Sequence, residues 1–183
     1  MRHAPVDPPG YLYGSTDADI ERVSPDVSKK LHSRLANCQA FFSSPALRCI
    51  KTYQAVFVEN LLPLQIKEFW DQDFGNWEGL TYNSIPDQGE LSGKDLVEFT
   101  PPNGESFLEL CHRTQPPLLK IISERKVGEI AIFAHAGVIR SFLALALDSK
   151  ELALKFSIDN LSITAIEALS NGQFSISFVN QSV

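Results

Sequence analysis

Twice in this sequence a compact apolar run stops at small or polar residues and gives way at once to a helical pattern, and this handover narrows the fold more than any other feature. Gln39 to Ser43 ends in Ser43-Ser44-Pro45, after which Leu47, Ile50, Gln54 and Phe57 recur at near-helical spacing. Glu129 to Ala134 closes on His135-Ala136-Gly137, and Val138 to Leu147 resumes as an apolar helix. Strands alternating with helices predict an α/β domain with a mostly parallel sheet. Another helix is predicted over residues 24–36, where Ser24 is the N-cap, Pro25 takes the first helical position, and Val27, Leu31 and Leu35 share a face. Ser162 to Leu169 and Phe174 to Asn180 flank Ser170-Asn171-Gly172; Asn-Gly is a strong hairpin turn, so the fold is expected to end in an antiparallel strand pair.

Two segments resist this pattern. Pro116-Pro117 interrupts a helical stretch from about Ser106 to Glu124, and an interior proline removes a hydrogen bond and clashes with the preceding turn, so a kink or two helices is expected. Arg2-His3 ought to end a buried strand, yet only Met1 precedes it, and the first strand reads as truncated.

The chain has 183 residues, 44% of them hydrophobic, enough for one domain over 1–183 with a continuous core. No apolar run reaches the roughly 18–20 residues of a membrane span; the longest, Val138 to Leu147, is broken by Arg140 and Ser141. No charged N-terminal region leads into an apolar stretch, so a cytoplasmic protein without membrane contact is expected. Cys38, Cys49 and Cys111 are odd in number and irregularly spaced, which fits reduced thiols better than a disulfide framework or a zinc motif. A formal charge of −6 disfavours nucleic acid as a partner, and any anionic ligand must be met by local positive charge.

That local charge is available. Arg2-His3, Arg48 and His135 each follow a predicted strand, and ligands of open α/β sheets gather outside the carboxyl ends of strands. Two guanidiniums can hold phosphate oxygens through forked hydrogen bonds, while an imidazole can serve as nucleophile or as donor to a transferring group. His32 lies on an amphipathic helix and reads as solvated or half-buried. His112, between Cys111 and Arg113, shares no helix face with either neighbour and reads as uninvolved.

At these residues the chain resembles the histidine phosphatase superfamily, the phosphoglycerate-mutase-like fold. The resemblance rests on five segments in the family's order: Arg2-His3-Ala4, Ser43 to Arg48, Asp71 to Gly79, Pro101 to Ser106, and His135-Ala136-Gly137. It implies a three-layer α/β/α sandwich. It implies also that His3 accepts the phosphoryl group, that Arg2, Arg48 and His135 surround it, and that no metal or cofactor takes part. The family's proton donor falls on Asp71, where Glu is usual; the lost methylene shortens its reach by about 1.5 Å. Glu78 is the alternative acid, although its family counterpart belongs to a structural Trp-Glu-Gly turn. Ala136, Glu105 and Ser106 are implied substrate contacts, while Trp70 and Trp77 either pack or line the rim.

Tyr13-Gly14-Ser15-Thr16-Asp17, with the start of the chain, most resembles the α-ribazole phosphatase branch. The implied substrate is a small phosphorylated metabolite, hydrolysed through a phosphohistidine, and a homodimer is compatible with this reading. The rivals are a phosphoglycerate mutase, disfavoured by the short chain, and a catalytically silent phosphate-binding or regulatory domain.

Overall fold

The computed structural model describes residues 1–57, 61–125 and 128–183. Along the chain come β1 (Val6–Asp7), β2 (Asp19–Ile20), α1 (Pro25–Leu35), β3 (Cys38–Ser43), α2 (Leu47–Val56), β4 (Leu64–Gln65), α3 (Gly93–Glu98), α4 (Phe107–Glu124), β5 (Glu129–Phe133), α5 (Ala136–Leu147), α6 (Lys150–Ala153), β6 (Ile163–Ala168) and β7 (Phe174–Gln181), with short 3-10 turns at 67–69, 75–77 and 82–84. Strands β4, β3 and β5 form a parallel sheet in that order, with Ala40 opposite Ile130 and Ser43 opposite Phe133. Met1–His3 continues the sheet beyond β5: the Met1 ammonium donates to Ile132 O at 2.8 Å, and His3 N to Ala134 O at 3.0 Å. The β6–β7 hairpin is antiparallel, as the Asn-Gly turn predicted, and adjoins this run through Arg2 N to Ser162 O at 3.1 Å.

The pleat divides β5 between two cores. Ala131 and Phe133 pack with Leu31, Leu35, Cys49, Tyr53 and Val56 of α1 and α2. Ile130, Ile132 and Ala134 face the other way, toward Leu110, Val138, Phe142 and Leu143 of α4 and α5. Helix, sheet and helix thus make the three layers expected. Among the described residues no helix is long and apolar enough to cross a membrane.

Of the two alternatives expected at the proline pair, a kink or two helices, the second does not hold. Phe107 to Glu124 is one helix rather than two, with Pro116 and Pro117 inside it. The carbonyls that lose their amide partners belong to His112, which is exposed, and Arg113, which is half-buried, so solvent lies close to both. The buried face of α2 is Arg48, Cys49, Thr52, Tyr53 and Val56, whereas Leu47 is 40% exposed and Gln54 is exposed. Two polar residues, Arg48 and Thr52, occupy the inward face, so the periodic set that signals the helix is not the set that it buries.

Phe133 is fully buried, with its ring edge-on to Tyr53 at 5.3 Å between centroids. Phe133→Ala is expected to cost about 3–5 kcal/mol in urea unfolding, through lost transfer energy and the cavity left behind. A loss below about 1 kcal/mol would mean that this layer is not close-packed.

Candidate active site

The ends of β3, β5 and the Met1–His3 run emerge at one end of the sheet, because all three are parallel. Arg48 is the second residue of α2, His135 is the N-cap of α5, and His3 is the last residue paired to the β5 run. The rings of His3 and His135 stand 5.2 Å apart, edge to face. Ligating atoms of His3, Asp71 and His135 all lie within 4.8 Å of one another. Groups separated by more than a hundred positions in sequence therefore meet at one point.

Arg48 is only 1% exposed and faces acceptors on every side. Its Nε donates to His135 Nδ1 at 3.2 Å, Nη1 to Thr16 O at 3.1 Å and Asp17 Oδ1 at 3.4 Å, and Nη2 to Gly14 O at 2.8 Å; Nη2 also lies 3.5 Å from Asp71 Oδ2. Arg2 donates from Nη1 to Ile158 O at 2.5 Å, and its buried Nε has no partner among the described residues.

These contacts assign the tautomers. A guanidinium only donates, so His135 Nδ1 is unprotonated and Nε2–H donates to Ser44 Oγ at 2.8 Å. A carbonyl only accepts, so His3 carries its proton on Nδ1, donating to Ala4 O at 2.7 Å, and Nε2 keeps a free lone pair. Both rings are neutral. Burial and then the Arg48 charge pull His3 down to about 3, with Arg2 adding to the effect. The same causes, joined by His3, Arg2 and Arg113, hold His135 well below the usual imidazole value.

Asp71 behaves oppositely. Burial raises its carboxyl to about 6 despite the opposing pull of Arg48, a hydrogen bond from Gln72 N at 2.9 Å, and Arg2. Its Oδ2 stands 3.4 Å from His135 Nδ1, two acceptors face to face, an arrangement that a proton on the carboxyl reconciles. Glu78 differs: burial acts to raise it, but hydrogen bonds from Thr16 N (2.5 Å), Ser15 N (2.7 Å) and Ser15 Oγ (2.9 Å) outweigh that, leaving it below the usual carboxylate value. It accepts from Phe74 N as well, at 3.1 Å. Glu78 is a tether between loops with no proton to give near neutrality.

The side chains of Glu105 and Ser106 are held by partners within the protein. Glu105 holds Arg113 through Nε at 2.9 Å and Nη2 at 2.7 Å. Ser106 caps α4: its Oγ accepts from Glu109 N at 3.2 Å while its backbone N donates to Glu109 Oε2 at 2.8 Å, a reciprocal capping box. Ala136 opens α5 directly beside His135. His32 is exposed and tilts against Phe57, and His112 is exposed, so neither joins the cluster. Trp70 donates from Nε1 to Gly14 O and Ser15 O at 3.2 and 3.1 Å, and Trp77 stacks on Phe99. Cys49 and Cys111 are buried thiols, and Cys38 is partly exposed.

The sequence reading overlooked how the 14–17 loop works: its carbonyls and Asp17 hold Arg48, while Asp17 also accepts from Leu47 N at 2.8 Å and so caps α2 from a distance. Gly14 allows this approach, since a Cβ there would lie 2.1 Å from Gln72 O. The composition Gly-Ser-Thr-Asp signals a turn but not its partner.

Two imidazoles and a carboxylate form a donor set that zinc accepts. Here, however, the Arg48 guanidinium sits 3.2 Å from one of those nitrogens, which repels a dication and attracts an anion. Fold and cluster together define an α/β domain with two guanidiniums gathered beside an imidazole that keeps an unshared lone pair. The family model for the histidine phosphatase superfamily (branch 1) matches residues 1–182, and the chain belongs to that superfamily, whose members are phosphatases or mutases.

A bifunctional protein of Mycobacterium tuberculosis is 31% identical over 156 residues, covering 81% of this chain; the match spans 42% of that relative's length. The mycobacterial glucosyl-3-phosphoglycerate phosphatase superposes with a TM-score of 0.85 at 17% identity, covering 99% of this chain and 96% of its own. A candidate alpha-ribazole-5'-P phosphatase from Escherichia coli gives 0.82 at 20%, covering 99% and 94%. At these identities the two structures share the fold.

If Glu78 is a tether, Glu78→Gln weakens charge-assisted bonds from four backbone and side-chain donors and should lower unfolding free energy by about 1–3 kcal/mol. Urea melts at pH 7 test this, and an unchanged midpoint would remove Glu78 from that role.

Proposed function

We propose that this domain is a metal-independent phosphomonoester hydrolase acting through a phosphohistidine on His3. The observation that carries the reading is the free Nε2 of a neutral His3, set within a ring-to-ring distance of 5.2 Å from His135 and ringed by Arg2 and Arg48. The guanidiniums supply the positive charge that equatorial phosphoryl oxygens need, so charge neutralisation does not call for a metal.

In the first half-reaction His3 Nε2 forms a bond to phosphorus as the ester P–O bond breaks, and the departing oxygen takes the proton held by Asp71. In the second, a water oxygen bonds to phosphorus, the N–P electron pair returns to Nε2, and the water proton goes to Asp71. The products are an alcohol and inorganic phosphate. With an anion bound, Arg48 can turn its Nε–H to a phosphoryl oxygen, and the negative charge favours a proton on the released His135 Nδ1, which then donates to the same group.

Hydrolysis is preferred to mutase action because the solved structures that superpose on this chain include phosphatases, and a small phosphorylated metabolite is the expected substrate class. α-Ribazole 5′-phosphate is the first compound to test, supported by the resemblance of Tyr13 to Asp17 and by the Escherichia coli neighbour. A panel that includes 3-phosphoglycerate separates ester hydrolysis from transfer to a second hydroxyl, judged by ratios of kcat/KM.

The acid–base assignment predicts a pH profile. His3 is neutral above about 3 and Asp71 keeps its proton below about 6, so kcat/KM for p-nitrophenyl phosphate in chelator should fall as pH rises through about 6. Asp71→Asn should lower kcat for an alkyl ester by about 10²–10⁴-fold and abolish that descending limb. His3→Ala should leave no phosphoenzyme on acid-labile trapping. Equal product release by native protein and His3→Ala would overturn the nucleophile, and a limb that persists in Asp71→Asn would overturn the acid.

A further inference from the structure

The peptide plane joining His3 to Ala4 is held at both ends. Its carbonyl, His3 O, accepts from Asn160 Nδ2 at 2.9 Å and from Leu161 N at 3.3 Å. Its amide, Ala4 N, donates to Thr52 Oγ1 at 2.8 Å, and Thr52 Oγ1 in turn donates to Arg48 O at 2.6 Å. Thr52 is fully buried, so both of its hydrogen-bonding capacities are committed inside the protein. The next carbonyl, Ala4 O, is the acceptor that keeps the His3 proton on Nδ1. Rotating the gripped plane would shift Ala4 relative to the ring and weaken that bond.

The outer side of the grip is itself braced. Asn180 of β7 exchanges two hydrogen bonds with Asp159: Asp159 N donates to Asn180 Oδ1 at 2.6 Å, and Asn180 Nδ2 donates to Asp159 Oδ2 at 2.9 Å. Leu161 stands at φ +62, a conformation rare for a branched residue, and its amide lies within reach of both Arg2 O and His3 O. Strain of this kind persists only where surrounding contacts over-determine it.

We propose that Asn160 and Thr52 are positioning residues that grip opposite ends of the His3–Ala4 peptide plane and thereby aim Nε2 of His3 at phosphorus. Neither touches the phosphoryl group. The inference rests on His3 being the nucleophile, as set out above. Aim matters because a displacement near 1 Å costs about a hundredfold in an oriented reaction. Thr52 also couples the nucleophile to the helix that carries Arg48, so the two move as one unit.

Asn160→Ala and Thr52→Val should each lower kcat by about 10- to 100-fold with p-nitrophenyl phosphate while leaving the inhibition constant for vanadate within about twofold, since Arg2 and Arg48 hold the anion. Thr52→Ser keeps the hydroxyl and should recover most of the rate lost in Thr52→Val. Asn160→Asp keeps the shape, loses the donor at neutral pH and should resemble Asn160→Ala. The ¹⁵N shifts of the His3 ring should report an Nδ1–H tautomer in native protein and a mixture in Asn160→Ala and Thr52→Val. A merely structural role would lower the melting temperature and leave the tautomer and kcat of the folded fraction unchanged; that result overturns the proposal. If native protein neither turns over nor traps phosphate while the tautomer still shifts in the variants, the hydrolase reading fails and the grip stands.

Discussion

A guanidinium in a protein interior has to be met by acceptors, and the arrangement around Arg48 organises the rest of this site. Moving a cation out of water costs several kcal/mol even after relaxation, at about the scale that decides whether a domain folds at all. Here the carbonyls of Gly14 and Thr16, the carboxylates of Asp17 and Asp71, and the ring of His135 share the work. The 14–17 loop lies against α2 and the 71–78 segment for this reason, with Glu78 fastening Ser15 and Thr16 from the far side. A chain with a formal charge of −6 thereby carries a cationic hollow, and its partners there are of two kinds. The loop carbonyls are permanent, whereas His135 Nδ1 and Asp71 Oδ2 stand where an incoming anion can replace them.

The same charge sets three titrations at once. It adds to burial in keeping both imidazoles neutral, and it works against burial at Asp71. An uncharged imidazole and a protonated carboxyl coexist over the interval from about 3 to about 6, the pair that the proposed transfer to His3 and release of an alkoxide would require. Their effects on stability have opposite signs. An imidazole depressed in the fold makes stability fall as pH drops below the unfolded value near 6.5, because the unfolded chain takes up the proton that the fold refuses. Asp71, raised in the fold, lends stability at low pH that is lost as pH rises from its unfolded value toward about 6. The two contributions oppose each other over the acidic range in which the catalytic forms coexist.

Much of this was legible in the sequence, and the parts that were not have a common cause. Ser24-Pro25, the apolar run at Glu129 to Ala134, and Asn171-Gly172 each announce themselves through local chemistry, and the structure places α1, β5 and the terminal hairpin accordingly. The inward face of α2 carries Arg48 and Thr52 where a pattern search expects Leu or Val, so apolar periodicity does not identify it. Glu105 and Ser106 lie in a segment that looks like its family counterpart, yet their partners, Arg113 and Glu109, are found one or two helical turns further on and become visible only once α4 is built. Asp17, Asn160 and Asn180 form long-range polar contacts, which leave no periodicity for a reader to detect.

The substitution of Asp for the family's usual Glu at position 71 gains a physical account from its surroundings. A carboxyl shortened by about 1.5 Å could reach the imidazoles only if its backbone came closer. Gly137, in the first turn of α5, leaves the room: a Cβ there would stand 3.3 Å from Asp71 Oδ1 and 2.9 Å from Leu110 Cδ2, tighter than ordinary packing allows. Asp71 Oδ1 therefore approaches α5 where position 137 puts no side chain in the way.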